Sequence, residues 1–172
     1  DEYASWSPSF GLFEVEGAIL GRLADELAGG ALLDIGVGAG RTTRALSAAC
    51  AHYVGIDYSH AMVERCRRSF PLLDLSCQDA RNLSAFEPRS FDTVWFSFNG
   101  IDYVPPEQRE QVLHQCWRVL RPGGALVFSS YNLHAPSRPS PLPPDVRGRG
   151  RRALRRGRGA LRVRLAGAVP PR

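Results

Sequence analysis

The sequence contains no lysine, so all 22 of its basic residues are arginine. The ratio of arginines to acids differs between the two parts of the chain. Residues 137–172 carry 11 arginines and a single acid, whereas residues 1–136 carry 11 arginines and 16 acids. The net charge of +5 therefore combines a mildly acidic unit with a strongly basic tail. Phe, Trp and Tyr are absent from residues 137–172, which excludes base stacking on aromatic side chains there.

Long apolar runs and metal-type cysteine patterns are absent as well. No stretch approaches the roughly 20 apolar residues of a membrane helix, and the start shows no secretory signal pattern. The cysteines at 50, 66, 77 and 116 form no C-x-x-C pair, and no histidine lies at zinc-ligand spacing from them. We therefore expect a cytoplasmic protein with buried thiols, without a membrane segment and without a metal.

Short apolar segments alternate with amphipathic ones between residues 13 and 130. Strands are predicted at 31–35, 53–57, 72–77, 91–98 and 125–130. Helices are predicted at 13–28, 41–50, 59–69 and 105–120, with Ser59 as a side-chain cap. This alternation predicts an α/β fold, a doubly wound and mainly parallel sheet with helices on both faces. Ligands of such sheets bind outside the carboxyl ends of the strands.

The first predicted strand runs directly into a turn with three glycines, Gly36, Gly38 and Gly40. Glycine lets the backbone approach a ligand closely and adopt conformations that other residues avoid. The spacing is G-x-G-x-G followed by Arg41, whereas a dinucleotide fingerprint requires G-x-G-x-x-G. A bulky side chain at the third position of that fingerprint disturbs helix–strand packing. The turn therefore favours a ligand without phosphates.

Two acids lie where predicted strands end. Asp57 ends the second strand, where a carboxylate can accept both hydrogen bonds of a ribose diol. Asp34 lies near the end of the first strand, and we expect it to serve an ammonium group directly or through water. Together the two acids predict an adenosine that carries an amino acid.

Five segments, in order and with matching spacing, resemble the motifs of class I S-adenosylmethionine-dependent methyltransferases, especially the small-molecule group of types 11 and 25. The segments are residues 33–40, 55–62, 77–81, 91–100 and 118–124. The resemblance covers residues 31–131. It implies S-adenosylmethionine as the cofactor and S-adenosylhomocysteine as the product. It also implies direct displacement of the methyl group onto a small-molecule acceptor.

The resemblance also implies site residues. Asp57 would hold the ribose, Tyr58 and Met62 would flank the adenine, and Asp79 would bind the adenine amino group. The cofactor-binding positions are Asp34, Gly36, Val37, Gly38, Gly40, Asp57, Tyr58, Met62, Asp79, Ala80, Arg81, Asn99 and Gly100. Acceptors of similar enzymes lie after the fourth strand, so the candidate bases are Asp102 and Tyr103. The candidate substrate-binding residues are Tyr131 and, on an N-terminal lid, Tyr3 and Trp6.

Two tryptophans are predicted to be structural. Trp95 lies on the fourth strand and is expected in the core. Trp117 is expected to pack the last helix onto the sheet.

The resemblance ends with the fifth strand. The family sheet has seven strands, the last two forming an antiparallel hairpin that is not apparent here. We therefore predict a cofactor-binding domain at 1–135 and an Arg/Pro/Gly-rich tail at 136–172 that is disordered or aberrant. The edge of the fifth strand would then be bare.

Several alternatives stay open. The tail can instead be an arm that binds nucleic acid, which is not otherwise expected as a partner. The whole chain can be a non-catalytic cofactor-binding remnant. It can also be a fragment of an NAD-dependent oxidoreductase, although the glycine spacing disfavours that reading. The sequence does not indicate the oligomeric state.

Overall fold

A computed structural model describes residues 11–131 and the backbone of residues 160–165. The strands are β1 (Ala31–Ile35), β2 (His52–Asp57), β3 (Asp74–Cys77), β4 (Phe91–Phe96), β5 (Leu120–Ser130) and β6 (Ala160–Leu165). The helices are α1 (Glu14–Arg22), α2 (Ala24–Ala28), α3 (Thr43–Ala49), α4 (His60–Ser69) and α5 (Arg109–Val119). Two 3₁₀ turns, Gly100–Tyr103 and Pro106–Gln108, precede α5.

The strands form one sheet in the order β3-β2-β1-β4-β5-β6. The first five strands pair in parallel. The chain moves from β1 outward to β3 and then crosses back to β4, so the strand order reverses between β1 and β4. The structure confirms the predicted doubly wound sheet. The reversal opens a crevice at the carboxyl ends of β1 and β4, where such sheets bind their ligands.

The prediction of five strands is wrong by one. β6 pairs antiparallel with β5, in a register that runs from Ala125 opposite Leu165 to Ser130 opposite Ala160. The edge of β5 is therefore not bare, because residues 160–165 of the predicted tail pair with it. Arginine alternates with apolar residues at 161–165, which is the period of a strand. The composition of the surrounding tail obscured this signal, and residues 132–159 and 166–172 lie outside the described residues.

The core consists of two apolar clusters among the described residues. One cluster includes Leu27, Leu46 and Trp95, and the other includes Leu83 and Val112, all fully buried. The prediction for Trp95 is confirmed. The prediction for Trp117 is wrong, because 54% of its surface is exposed.

Two local details of the helices also differ from the predictions. The expected helix at 13–28 is divided at Leu23 into α1 and α2. Ser59 precedes α4, but its side chain makes no capping hydrogen bond. No helix in the described part of the chain is long and apolar enough to cross a membrane.

Candidate functional site

A cavity of about 650 Å³ lies at the carboxyl ends of the central strands. Its walls come from the turn after β1, the end of β2 with the start of α4, the segment after β3, and the segment after β4. The volume lies within the range of small-molecule and cofactor sites. The switch in strand order therefore coincides with a cavity large enough for a nucleoside-sized ligand.

The turn after β1 is shaped by backbone that only glycine adopts easily. Gly36, Gly38 and Gly40 have φ angles of +75°, +55° and +94°, values at which a side chain is strained. The Gly36 N–H donates to the Ile56 carbonyl at 2.7 Å, which ties the turn to the end of β2. Gly36 and Gly38 line the cavity, so a ligand bound there would contact backbone atoms without intervening side chains.

Two residues of this turn that were predicted to bind the cofactor, Gly40 and Val37, lie behind the cavity surface. A Cβ at Gly40 would come within 2.7 Å of the Phe70 ring, and Gly40 is therefore packed against α4 rather than exposed to the cavity. Val37 is buried, and its Cγ1 lies 2.8 Å from the position of a Cβ on Gly55. Among the described lining residues neither Gly40 nor Val37 appears. They shape the turn and do not form the cavity surface.

Asp57 joins the glycine turn to the start of α4. One carboxylate oxygen accepts the Gly38 N–H at 2.9 Å, and the other accepts the Ser59 N–H at 2.8 Å. Asp57 is buried and lines the cavity. Because a carboxylate has about four acceptor positions, the two N–H groups leave capacity for two further donors. This is the acceptor pattern that a ribose diol requires.

The wall after β3 contains a carboxylate–guanidinium pair. The Asp79 carboxylate accepts from the Arg81 backbone N–H and from the Arg81 Nε, each at 2.9 Å. These hydrogen bonds hold the pKa of Asp79 below its ordinary value. Arg81 also donates to Gln108, and Asp79, Ala80 and Arg81 all line the cavity beside Tyr58 and Met62. The structure therefore brings the predicted adenine-side residues together.

The segment after β4 forms the opposite wall. Phe98 and Asn99 both have left-handed φ angles, +55° and +57°, which cost energy for residues other than glycine. The Asn99 N–H donates to the Ser129 Oγ at 2.7 Å, which holds the bend. Asn99 was predicted at the cofactor but does not belong to the described lining. Its neighbours Phe98 and Gly100 do.

Asp34, predicted to serve an ammonium group directly or through water, lies behind the glycine turn. Its side chain is buried and its Oδ2 accepts hydrogen bonds from the Tyr53 and Thr42 hydroxyls, at 2.8 and 3.0 Å. It is not one of the described residues that line the cavity. Sequence position at a strand end did not reveal that the carboxylate turns inward. Asp34 therefore braces the turn through Tyr53 and Thr42, and its role toward an ammonium group stays a prediction.

Burial of Asp34 makes the free energy of unfolding depend on pH. Loss of solvation raises its pKa from 3.8 to about 7, although the Tyr53 and Thr42 hydroxyls oppose the shift. Because the folded pKa exceeds the unfolded one, the folded state is most stable with Asp34 protonated. We expect the free energy of unfolding contributed by Asp34 to fall as the pH rises from about 4 through about 7. Urea titrations across this window measure it.

Asp34→Asn should remove most of that slope, since the amide carries no titrating proton. Asp25→Asn is the matched control, because Asp25 is exposed, and its slope should follow the unmodified chain. A slope that survives in Asp34→Asn would contradict the assignment.

Asp102, a candidate base, is bound by residues of β5 and α5. Its carboxylate accepts from the Ser130 hydroxyl at 3.0 Å and from the Tyr131 N–H at 2.7 Å, and it pairs with Arg109 at 3.2 Å. It fastens the 3₁₀ turn to the end of β5 and is not among the described lining residues. A general base must reach the proton that it removes, and the base role of Asp102 stays a prediction.

The other residues predicted to contact the methyl acceptor differ in where they lie relative to the cavity. Tyr103 lines the cavity, and 65% of its surface is exposed. Tyr131 is not part of the described lining, and its backbone is held by Asp102. Tyr3 and Trp6 lie outside the described residues.

The cavity also contains residues that the sequence reading did not select. They are Ile35, Ser59, Gln78, Phe96, Ser97, Phe98, Val104 and Pro105. All of them except Val104 and Pro105 fall inside the motif-like segments and could have been chosen from them. The left-handed bend that brings Phe98 to the wall has no signal in the sequence. Nowhere in residues 11–131 do three or more His, Cys, Asp or Glu side chains form a group that could hold a metal.

Comparison with known proteins decides the family. The family described as "Methyltransferase domain" matches residues 32–124, more than half of the chain. The chain belongs to the class I S-adenosylmethionine-dependent methyltransferase family. The matched range includes the glycine turn, Asp57 and the segment after β4, so this methyltransferase domain has its cavity where the family motifs lie.

Individual relatives and a solved structure agree with this assignment. The domain is 34% identical to a demethylmenaquinone methyltransferase of Clavibacter sepedonicus, over 64% of this chain and 45% of that protein. It is 31% identical to a carboxy-S-adenosyl-L-methionine synthase of Hahella chejuensis, over 69% of this chain and 51% of that protein.

The solved structure is that of CalS10, an amino pentose methyltransferase from Micromonospora echinaspora, described as bound to S-adenosylmethionine. It superposes with a TM-score of 0.65 at 22% identity, over 80% of this chain and 57% of that chain, and supports the fold. The chain spans about half the length of the curated relatives that it matches.

Proposed function

We propose that the domain binds S-adenosylmethionine in the cavity and transfers its methyl group to a small-molecule acceptor. The observation that carries the proposal is the Asp57 carboxylate, which lines the cavity, is bound to Gly38 and Ser59, and retains acceptor positions for a ribose. The bare backbone of Gly36 and Gly38 beside it fits the adjoining part of a nucleoside.

In this proposal each wall of the cavity binds a different part of the cofactor or the acceptor. Tyr58 and Met62 flank the adenine, and Asp79 with Ala80 binds its edge. The amino-acid portion lies toward Gly36, Ser97 and Phe98, and the acceptor lies against Tyr103.

The bound cofactor supplies an activated methyl group on a sulfonium, so the acceptor's lone pair forms the new bond while the carbon–sulfur electrons return to sulfur. The residues of this chain align the two reactants and exclude water, which can remove several kcal/mol from the barrier. Of the two candidate bases, Tyr103 lines the cavity, and its hydroxyl would accept the acceptor's proton while passing its own proton to solvent.

The proposal includes a cytoplasmic location. All four cysteines lie in the described part of the chain, and all four are free thiols. Free thiols are the usual state in a reducing compartment.

Calorimetry with three ligands tests the cofactor. We expect S-adenosylmethionine and S-adenosylhomocysteine to bind with micromolar affinity, about −8 kcal/mol, and NAD not to bind. NAD serves as the matched control, because it carries the same adenosine with a pyrophosphate. A folded sample that ignores both sulfur compounds at millimolar concentration would refute the proposal.

Mass spectrometry of the cofactor after incubation with an acceptor panel tests the reaction. Methyl transfer converts S-adenosylmethionine into S-adenosylhomocysteine and adds one methyl group to the acceptor. A gain of mass on the cofactor itself would instead place the chain with its relatives named carboxy-S-adenosyl-L-methionine synthase.

A further inference from the structure

A buried ion pair lies directly behind the glycine turn. The Arg41 guanidinium binds the Glu16 carboxylate through two parallel hydrogen bonds, Nη1 to Oε2 at 2.6 Å and Nη2 to Oε1 at 2.7 Å. The two side chains are only 8% and 4% exposed. Glu16 belongs to α1, and Arg41 follows the last glycine of the turn. The pair therefore joins α1 to the glycine turn.

Arg41 makes further contacts on both sides of this junction. It donates to the Gly11 carbonyl at 2.9 Å and to the Ser97 hydroxyl at 3.2 Å. Its guanidinium carbon lies 4.7 Å from the centroid of the Phe13 ring and 5.2 Å from that of the Phe98 ring. The two rings stack with centroids 5.9 Å apart. One arginine thus contacts the segment before α1 and the segment after β4.

The contacts of Arg41 reach the cavity through two residues. Ser97 and Phe98 line it, and Phe98 is held there in a left-handed backbone conformation. Neither the sequence motifs nor the proposed function uses Arg41 or Glu16. A buried arginine without its carboxylate is costly. The docking of α1 and the position of Phe98 are therefore energetically linked.

We propose that Arg41 is a positioning residue, which fixes the cavity wall over the amino-acid portion of the cofactor by holding α1, the glycine turn and Phe98 together. The proposal rests on the proposed function, because it assigns that portion of the cavity to the amino-acid end of S-adenosylmethionine. Arg41 does not touch the reacting atoms. It determines whether Ser97 and Phe98 are in place when the ligand enters.

Binding of two related ligands tests the proposal. Adenosine occupies the Asp57 end, whereas S-adenosylhomocysteine also needs the wall formed by Ser97 and Phe98. In Arg41→Leu we expect about tenfold weaker binding of S-adenosylhomocysteine, the effect of losing one charge-assisted contact network. Adenosine binding should change by less than about twofold. Calorimetry measures both dissociation constants.

The double variant Glu16→Leu/Arg41→Leu separates positioning from plain stability. An apolar pair often replaces a buried ion pair without loss of stability, so the thermal midpoint should recover toward that of the unmodified chain. Binding of S-adenosylhomocysteine should stay about tenfold weaker, because Ser97 and Phe98 still lack their contacts with Arg41. If binding recovers together with the midpoint, Arg41 is only structural and the proposal is overturned.

Hydrogen exchange tests the link without any ligand, so its result is independent of the proposed function. Phe98→Leu removes one of the two rings that Arg41 contacts. Amide exchange should then become faster in α1, which lies about 20 residues before the glycine turn in the sequence. Phe86→Leu is the matched control, since that ring contacts Phe91 and packs against the other apolar cluster. Unchanged exchange in α1 would overturn the proposal. Failure of the unmodified chain to bind S-adenosylhomocysteine would overturn the proposed function instead.

Discussion

Asp57→Ala should weaken the binding of S-adenosylmethionine and S-adenosylhomocysteine by at least about 100-fold. The substitution removes the carboxylate that we assign to the ribose, and two hydrogen bonds to a charged acceptor are each worth about 1.5–3 kcal/mol. It also leaves the Gly38 and Ser59 N–H groups without their acceptor. Calorimetry gives the dissociation constants, and circular dichroism shows whether the fold persists.

Two further variants make the result interpretable. Asp74→Ala is the matched control, because Asp74 is exposed at the start of β3 and outside the described lining, and its binding should be unchanged. Asp57→Asn keeps an acceptor oxygen for one of the two backbone N–H groups and should fold even if the alanine variant does not. An affinity within threefold of the unmodified chain in a folded Asp57 variant would remove the carboxylate from the site.

Trp95→Ala should lower the free energy of unfolding by about 3–5 kcal/mol, the cost of deleting a large buried ring and leaving a cavity. Trp95 is fully buried on β4, the strand between β1 and β5. The expected fall in the thermal midpoint is roughly 10–15 °C for a chain of this size. Urea unfolding monitored by far-ultraviolet circular dichroism measures the change.

Trp117→Ala provides the comparison. Its ring is 54% exposed, so we expect a change within about 0.5 kcal/mol. Trp95→Phe should cost less than the alanine variant, because the buried Nε1 of Trp95 has no hydrogen-bond partner to lose among the described residues. Equal losses at the two tryptophans would show that the assigned core is wrong.

The sheet and the cofactor side of the cavity were predictable because their signals are local in sequence. Strands and helices alternate with clear periods, and the spacing of Gly36, Gly38 and Gly40 requires a particular turn. Asp57 follows from its place at the end of β2. Each of these features depends on backbone conformation and strand order, which the sequence pattern encodes directly.

The direction in which a polar side chain points was not predictable. Asp34 and Asp102 both lie near the ends of central strands, as Asp57 does, yet each is bound by groups distant in sequence. Tyr53 donates to the first, and Ser130 with Arg109 binds the second. The orientation depends on which donors the fold brings near, and a single sequence does not show that. The same holds for Arg41, whose partner Glu16 lies 25 residues away.

The hydrogen bond from Gly38 to Asp57 has a consequence for how a ligand is received. The turn and the acid are ordered together during folding, so the loss of conformational entropy at this end has already occurred before a ligand arrives. Preorganisation of this kind strengthens binding without adding contacts. Adjustment on ligand binding is then left to the opposite wall, where Phe98 is held by side-chain contacts with Arg41 and Phe13 rather than by the strand ladder.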